Sequence, residues 1–357
     1  MLRRFLVLAA LLGAIAAAGR APLSSDRDMY ERIGRHVVVL DCTDIHCFRP
    51  LVAVIVEHLP GPSPLKWKAY GVVTVAAAAL ATLRLCLVLA LPARTANLAM
   101  WIAAFGYGPL QSIFDPYTSD PLMYLLGPLM TADLWMARDR RAAALGMAGV
   151  FAKEFAAAPL WIFTLLATVE RRWESAVRLA FLAVAVTLAW RTLHVLLMTL
   201  FNYSYGLNLS THVLNGGYFR VWASALGVPR AGFYLFMAYG PLWILLAAGF
   251  ARSGERLRRL ALCSLPAALA FVYMQQSDRA LWNFHFVVIP IAAAVLAELP
   301  SWACAAFVTG FAIANLRLGA PQPAAFTWIR GAALAVSMMI AIAAALKERK
   351  DREDDKG

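Results

Sequence analysis

The sequence predicts an all-α membrane protein, a polytopic helical bundle of about ten crossings. Of its 357 residues, 61% are hydrophobic and 15% are charged, a composition too apolar for an ordinary soluble domain. The mean hydropathy is +0.65, and apolar segments of membrane-spanning length recur along the chain. The net charge of +12 comes from basic clusters between these segments, which indicates membrane topology and not nucleic-acid binding.

A helix needs roughly 17 to 25 largely apolar residues to cross a bilayer. By that measure we expect crossings near residues 4–20, 68–92, 96–113, 121–137, 176–200, 232–250, 260–274, 281–298, 301–318 and 326–346. Residues 1–23 also resemble a cleavable secretory signal. An uncleaved first crossing is the alternative, and the even number of crossings favours it. We expect residues 1–357 to form one integral membrane domain.

Residues 142–169 are an apolar stretch that Lys153 and Glu154 interrupt at its middle, with Pro159 just beyond. Each half is too short to cross a bilayer alone. The pattern therefore predicts a broken, re-entrant hairpin with the two charges at its apex, since irregular backbone at membrane depth occurs where it lines a cavity. One long tilted crossing is the alternative.

A cytoplasmic N-terminus would place the dense basic clusters on one side, as the positive-inside rule requires. These clusters are Arg3-Arg4, 138–141, 171–178, 252–259 and the charged tail 347–357. The opposite side would receive the polar segments 24–60, 115–120, 153–154, 202–230 and 275–279. We therefore expect a multi-pass protein of the cell (inner) membrane, with both termini cytoplasmic and a site at the outer mouth of the bundle.

The outer loop, residues 24–60, is the long polar segment in the first half of the chain. Acidic residues beside a bilayer are costly and are a functional hypothesis by default, and this loop holds Asp26, Asp28, Asp41 and Asp44. Cys42 and Cys47 could form a disulfide if the loop faces an oxidising compartment. Residues 48–59 are expected to form a short amphipathic surface helix that Pro60 ends.

Four short motifs follow one another in the first 170 residues. They are DRDMY at 26–30, FRPL at 48–51, FDPYTSDPL at 114–122 and AKE at 152–154. As an ordered set they resemble bacterial members of the GT-C superfamily of integral membrane glycosyltransferases, which commonly use polyprenyl-phosphate sugars. The second half of the chain is similar only in its general helical character.

The resemblance implies a GT-C-like fold and an acidic residue in the first outer loop that acts as general base on the acceptor hydroxyl. The matching positions are Asp26 and Asp28, and the sequence does not choose between them. The stretch Asp41 to Cys47 departs from the family's pattern. That departure leaves open whether Asp44 or Asp41 has taken the catalytic role.

The chemistry itself requires a carboxylate near the acceptor hydroxyl and cations or donors near the departing phosphate. Candidates for the phosphate side and its surroundings are Arg49, Lys153, Glu154, Arg191 (with His194) and Arg279. Asp115 and Asp120 could offer oxygen ligands to a divalent cation, although their spacing does not demand a metal and no cofactor is otherwise expected.

Each candidate has a structural alternative. Asp26 and Asp28 could cap a surface helix that begins near Met29. Asp115 and Asp120 could form a turn and a helix start before prolines. Lys153 and Glu154 could simply neutralise each other.

Two classes of function remain open at this stage. The first is a glycosyltransferase whose partners are a lipid-linked sugar donor, a glycan, lipid or protein acceptor, and membrane lipids, with no nucleic acid. The alternative is a transporter or flippase of a lipid or small anionic solute, since broken helices and intramembrane charges also mark transporters. Inverted repeats would favour the transporter, and the two halves show no convincing self-similarity.

Overall fold

A computed structural model describes residues 1–20, 25–204, 231–271 and 277–354, and within these ranges the regular elements are helical. The first half contains α1 (Leu2–Ala18), α2 (Ser25–His36), α3 (Pro50–Glu57), α4 (Ser63–Val88), α5 (Ala93–Phe105), α6 (Tyr107–Phe114), α7 (Asp120–Trp135), α8 (Asp139–Gly149), α9 (Ala158–Val169) and α10 (Trp173–Phe201). The second half contains α11 (Ala231–Tyr239), α12 (Leu242–Phe250), α13 (Glu255–Phe271), α14 (Ser277–Trp282), α15 (His285–Leu296), α16 (Ser301–Asn315) and α17 (Ala324–Asp354). Short 3-10 helices lie at Ile45–Phe48 and Glu154–Ala157.

The all-α prediction is confirmed for the described residues, whereas the count of ten crossings is not. Three described helical segments are long and apolar enough to cross a membrane, namely Ser63–Val88, Trp173–Phe201 and Ala324–Lys347. Most of the predicted outer segment 202–230, and residues 275 and 276 of the segment 275–279, lie outside the described residues. The chain thus has helices suited to a membrane, and the full number of crossings stays a prediction.

Several expected crossings are divided in two, and glycines account for two of the divisions. The expected crossing 96–113 breaks at Gly106, which is extended (φ −72°, ψ 172°) and separates α5 from α6. A Cβ at Gly106 would lie 1.9 Å from Cη2 of Trp282, so a glycine is required for this close approach. The expected crossing 232–250 breaks at Gly240, whose φ of +52° lies in the left-handed region.

Two apolar cores share the helix α4. One core surrounds the outer loop and includes Tyr30, Phe48 and Trp67 together with residues of α7, α9 and α10. The other joins α1, α4, α5 and α15 to α16 and α17, with Trp282 buried inside it. Because α4 contributes side chains to both cores, the outer loop is packed onto the bundle and does not extend away from it.

The break predicted in residues 142–169 is confirmed. The helix α8 ends at Gly149, and helical structure resumes with the 3-10 turn that begins at Glu154. The carbonyl of Phe151, within the break, accepts a hydrogen bond of 3.1 Å from the amide of Leu51 in α3. The outer loop thereby satisfies backbone that a broken helix would otherwise leave unpaired. The alternative of one continuous helix is wrong, while the depth of the break in a membrane stays a prediction.

Four of the five basic clusters meet at one end of the helices, namely 138–141, 171–178, 252–259 and the start of the tail. The guanidinium of Arg256 lies 4.3 Å from the centre of the Trp135 ring and pairs with Glu170 at 3.3 Å. Arg252 pairs with Glu298 at 2.7 Å. Further contacts of this kind join Arg178 to Asp139 and the Lys347 ammonium to the Glu298 carbonyl. The ends of α7, α9, α13 and α15 therefore lie together, as the charge pattern predicts, and their cytoplasmic side stays a prediction.

Candidate functional site

The outer loop folds into a compact cap built from α2, the 3-10 turn and α3. The predicted surface helix is α3, which buries Val52, Ala53 and Val56. Its approach to α2 is close, because a Cβ on Gly34 would lie 2.3 Å from Cγ of Glu57. Glu57 in turn accepts hydrogen bonds from Ser63 and from the indole of Trp67, at 2.6 and 2.7 Å. These contacts tie the end of α3 to the start of α4.

A disulfide joins Cys42 to Cys47, as their spacing allows, and encloses the residues between them. Two of the enclosed residues, Asp44 and His46, interact. Oδ1 of Asp44 accepts a hydrogen bond from the amide of His46 at 2.8 Å and lies 2.5 Å from Nδ1 of the same residue. The disulfide thus closes a small loop around a paired carboxylate and imidazole.

His46 lies between two carboxylates. Its Nδ1 contacts Asp44, and its Nε2 lies 3.7 Å from Oδ2 of Asp26 on α2. The hydrogen bond from the His46 side chain is the largest influence on Asp44 and lowers the pKa of that carboxyl despite its partial burial. The imidazole is 18% exposed and each carboxylate 37%, so this group is reachable from solvent.

The other two aspartates of the loop are placed elsewhere. Asp28 is exposed on α2. Asp41 has a φ of 54°, and its Oδ1 accepts a hydrogen bond of 2.6 Å from Asn202 at the end of α10. Of the four candidate bases, Asp26 and Asp44 therefore share His46, whereas Asp41 connects the loop to α10.

Behind the loop, five charged side chains form what we call the ion cluster: Arg49, Asp120, Lys153, Glu154 and Arg279. Asp120 is its centre, with a side chain only 3% exposed. Lys153 donates to Oδ1 of Asp120. Arg279 donates to Oδ2 from Nε at 2.9 Å and from Nη2 at 2.6 Å. The cluster thus joins the start of α7, the break after α8, and α14.

The second pair of the ion cluster is Arg49 with Glu154, at 2.8 Å. Because Glu154 follows Lys153 directly, the two pairs are adjacent. Burial would raise the pKa of Asp120, but Lys153 and Arg279 outweigh it and hold that pKa below its usual range. Arg49 and Lys153 likewise outweigh burial and lower the pKa of Glu154. Both carboxylates are therefore ionised at neutral pH, and the cluster sets three basic side chains against two acidic ones.

Tyr30 connects the loop to the ion cluster. Its ring centre lies 4.9 Å from that of His46. Its hydroxyl interacts with Ser119, and Arg49 and Asp120 are close enough to influence its charge. Burial is the main reason that the pKa of Tyr30 is raised. The exposed carboxylate pair and the buried cations therefore belong to one continuous site.

The structure brings together seven of the ten predicted site residues: Asp26, Asp44, Arg49, Asp120, Lys153, Glu154 and Arg279. Asp115 follows α6 directly; burial would lower the pKa of Arg279, but Asp120 outweighs it and Asp115 adds a smaller contribution in the same direction. Arg191 is exposed on α10, where it makes none of the ion pairs of the cluster. The neighbouring His194 is buried against Phe48, with ring centres 4.7 Å apart. Arg191 and Asp28 thus stand apart from the assembled site.

Metal binding was the other possibility for Asp115 and Asp120. Within the described residues, no three His, Cys, Asp or Glu side chains converge as metal ligands do. Both oxygens of Asp120 already accept hydrogen bonds from Lys153 and Arg279. A divalent cation therefore stays a prediction that the arrangement of these two residues does not favour.

His46 and Tyr30 are the site residues that the sequence did not single out. His46 had a local signal, since an imidazole two residues after an aspartate can be held by that carboxylate. Tyr30 stood within the DRDMY motif but was not assigned a role. Its proximity to Ser119 depends on tertiary packing, which the sequence does not display.

No protein-family model, curated protein or solved structure matches this chain. The motifs alone therefore carry the resemblance to the GT-C superfamily. What the geometry defines is a solvent-accessible carboxylate and imidazole group beside a buried cluster with one cation in excess. Such a site can accept a proton at its mouth and stabilise an anion deeper inside.

Proposed function

We propose that this protein is a membrane glycosyltransferase that moves a sugar from a lipid-phosphate donor to an acceptor on the outer face of the membrane. The observation that supports this most is the contact of Asp26 and Asp44 with His46, next to the cations of the ion cluster. Glycosyl transfer from a phosphate needs both parts, a base for the acceptor hydroxyl and positive charge for the departing phosphate.

In the proposed reaction, the acceptor oxygen forms a bond to the anomeric carbon while the bond from that carbon to the phosphate oxygen breaks. Asp26 takes the proton of the acceptor hydroxyl and can pass it to Nε2 of His46, whose Nδ1 is held by Asp44. Arg49, at the loop side of the ion cluster, stabilises the negative charge left on the lipid phosphate, for which its planar fork of donors is suited.

The disulfide and the basic clusters support one orientation in the membrane. Disulfides persist in oxidising compartments outside the cytoplasm, which favours an outer position for Cys42 and Cys47. The basic helix ends around Arg256 would then be cytoplasmic, together with both termini. Single introduced cysteines test this in intact cells: a cysteine at residue 256 should resist an impermeant thiol reagent, and labelling there would refute the orientation.

Sugar transfer is tested with a deletion strain whose surface glycans and glycolipids are compared by mass spectrometry with those of its parent. The glycan that loses a sugar identifies the product, and variants are then assayed for restoring it. Asp26→Asn keeps the shape of the side chain but removes its proton acceptance, so the transfer rate should fall about 10²- to 10⁴-fold. Asp28→Asn is the matched control, because it makes the same change on an exposed face of the same helix.

The outcome also separates the two classes of function. Full restoration by each of Asp26→Asn, Asp44→Asn and His46→Gln would refute a catalytic outer loop. A deletion strain that instead accumulates the complete lipid-linked sugar on the cytoplasmic side would identify a transporter or flippase.

A further inference from the structure

A groove runs between α5 and α16, away from the proposed catalytic site. It has a volume of about 360 Å³, which lies within the range of about 300 to 1,000 Å³ that is usual for ligand pockets. Leu98 and Trp101 line one wall and Cys304 and Val308 the other. This lining is mostly apolar, so the groove suits a hydrocarbon chain.

One end of the groove is cationic. Arg94 lies in the first turn of α5, and residues 94, 98 and 101 share one face of that helix, so the charged end and Trp101 are roughly 10 Å apart along its axis. Nη2 of Arg94 donates to the carbonyl of Leu299 and contacts Sγ of Cys304 at 3.8 Å. These contacts fix the guanidinium in place, and an arginine has further donors for a ligand.

More positive charge surrounds this end. The ammonium of Lys347 donates to the carbonyl of Glu298 at 3.1 Å, one residue from the partner of Arg94. Glu298 itself pairs with Arg252 at 2.7 Å. Three cations therefore gather around the turn from α15 to α16, where Glu298 supplies one carboxylate. A groove that changes from basic to apolar along its length matches an amphiphile with an anionic head and a hydrocarbon tail.

We propose that this groove binds an anionic phospholipid of the membrane leaflet that faces the basic helix ends. The phosphate contacts Arg94, and one acyl chain lies along Leu98, Trp101 and Val308. Basic pockets between transmembrane helices on the cytoplasmic side are suited to such headgroups. The site goes beyond the proposed sugar transfer and needs only that the helices lie in a membrane.

The test uses the full chain, purified in a neutral detergent and titrated with phosphatidylglycerol or phosphatidylcholine that carry the same two acyl chains. Native mass spectrometry counts the bound lipids. Phosphatidylglycerol should bind more tightly to the unmodified protein. Arg94→Gln should weaken its binding about fivefold, which is the effect expected for one cation near an anionic lipid. It should weaken phosphatidylcholine binding less, because the choline cation of that lipid offsets the charge of its phosphate.

Two further variants make the result specific. Ala305→Phe fills the groove from an exposed position of α16 without changing any charge, so it should reduce the binding of both lipids. Arg140→Gln removes an exposed cation of another basic cluster and should leave the preference for phosphatidylglycerol intact.

The proposal is overturned if the preference survives in Arg94→Gln, if it is lost equally in Arg140→Gln, or if the unmodified protein binds both lipids with equal affinity. If Arg94→Gln does not fold, Ala305→Phe still decides, and unchanged lipid binding by that variant refutes the groove. Sugar transfer by the deletion strain carrying these variants is a separate readout, so the two proposals can fail independently.

Discussion

Asp120→Asn should cause a large loss of stability. The carboxylate is 3% exposed and accepts from Lys153 and twice from Arg279. Asparagine is nearly the same size but has no charge, so two largely buried cations lose their counter-ion. Removing one partner of a buried ion pair typically costs about 3 to 5 kcal/mol, and we expect a loss of unfolding free energy of that order.

The assay is unfolding in one fixed detergent, followed by tryptophan fluorescence over a denaturant series. Asp28→Asn is the matched control, because the same chemical change on an exposed face of α2 should alter the unfolding free energy by less than about 0.5 kcal/mol. If Asp120→Asn unfolds within about 0.5 kcal/mol of the unmodified protein, the ion cluster is not a stabilising unit and the reasoning fails.

Acid should abolish the contribution of the Asp120 ion pairs to the free energy of unfolding. The folded-state pKa of Asp120 lies below its usual range, because the two cations outweigh burial. The stabilisation is therefore fully present above the unfolded pKa of about 3.9 and is lost as the pH falls through the folded pKa. The difference in unfolding free energy between the unmodified protein and Asp120→Asn should accordingly be constant near neutral pH and shrink below about pH 4.

Two further predictions concern packing and the outer loop. Gly106→Ala places a Cβ 1.9 Å from Trp282 and should cost about 1 to 3 kcal/mol, measured by the same unfolding assay, whereas Gly13→Ala meets nothing within 4 Å and should not destabilise. Replacing Cys42 and Cys47 together by serine should cost about 2 kcal/mol, as the closure of so small a loop predicts; equal stability of the double variant and the oxidised protein would contradict a structural role for this disulfide.

The sequence predicts the coarse features of the fold because these depend on local composition. Helical structure, the break at Lys153 and Glu154, and the short helix α3 all follow from hydropathy and proline or charge placement. The division of the expected crossing 96–113 into two helices was not predicted, because a hydropathy window counts apolar residues and ignores packing. Gly106 interrupts that segment to admit Trp282, which lies far away in the sequence.

The sequence identified the charged residues of the candidate site but did not predict which of them form ion pairs. Asp120, Lys153 and Arg279 were each identified, but their mutual contacts result from how α7, the break and α14 pack together. Arg191 was predicted as a site residue because it lies within an apolar helix, yet its side chain is exposed and stands apart from the ion cluster.

The span of the ion cluster along the chain has a consequence for biogenesis. Arg279 contacts Asp120 across 159 residues, whereas Lys153 contacts it across 33. During synthesis, Lys153 therefore follows Asp120 out of the ribosome early, and the two can form a neutral pair while the second half of the chain is still being made. The second cation joins only when α14 emerges. The nascent chain thus carries a balanced precursor of the ion cluster, and the cation in excess is added late, when most of the chain has already been made.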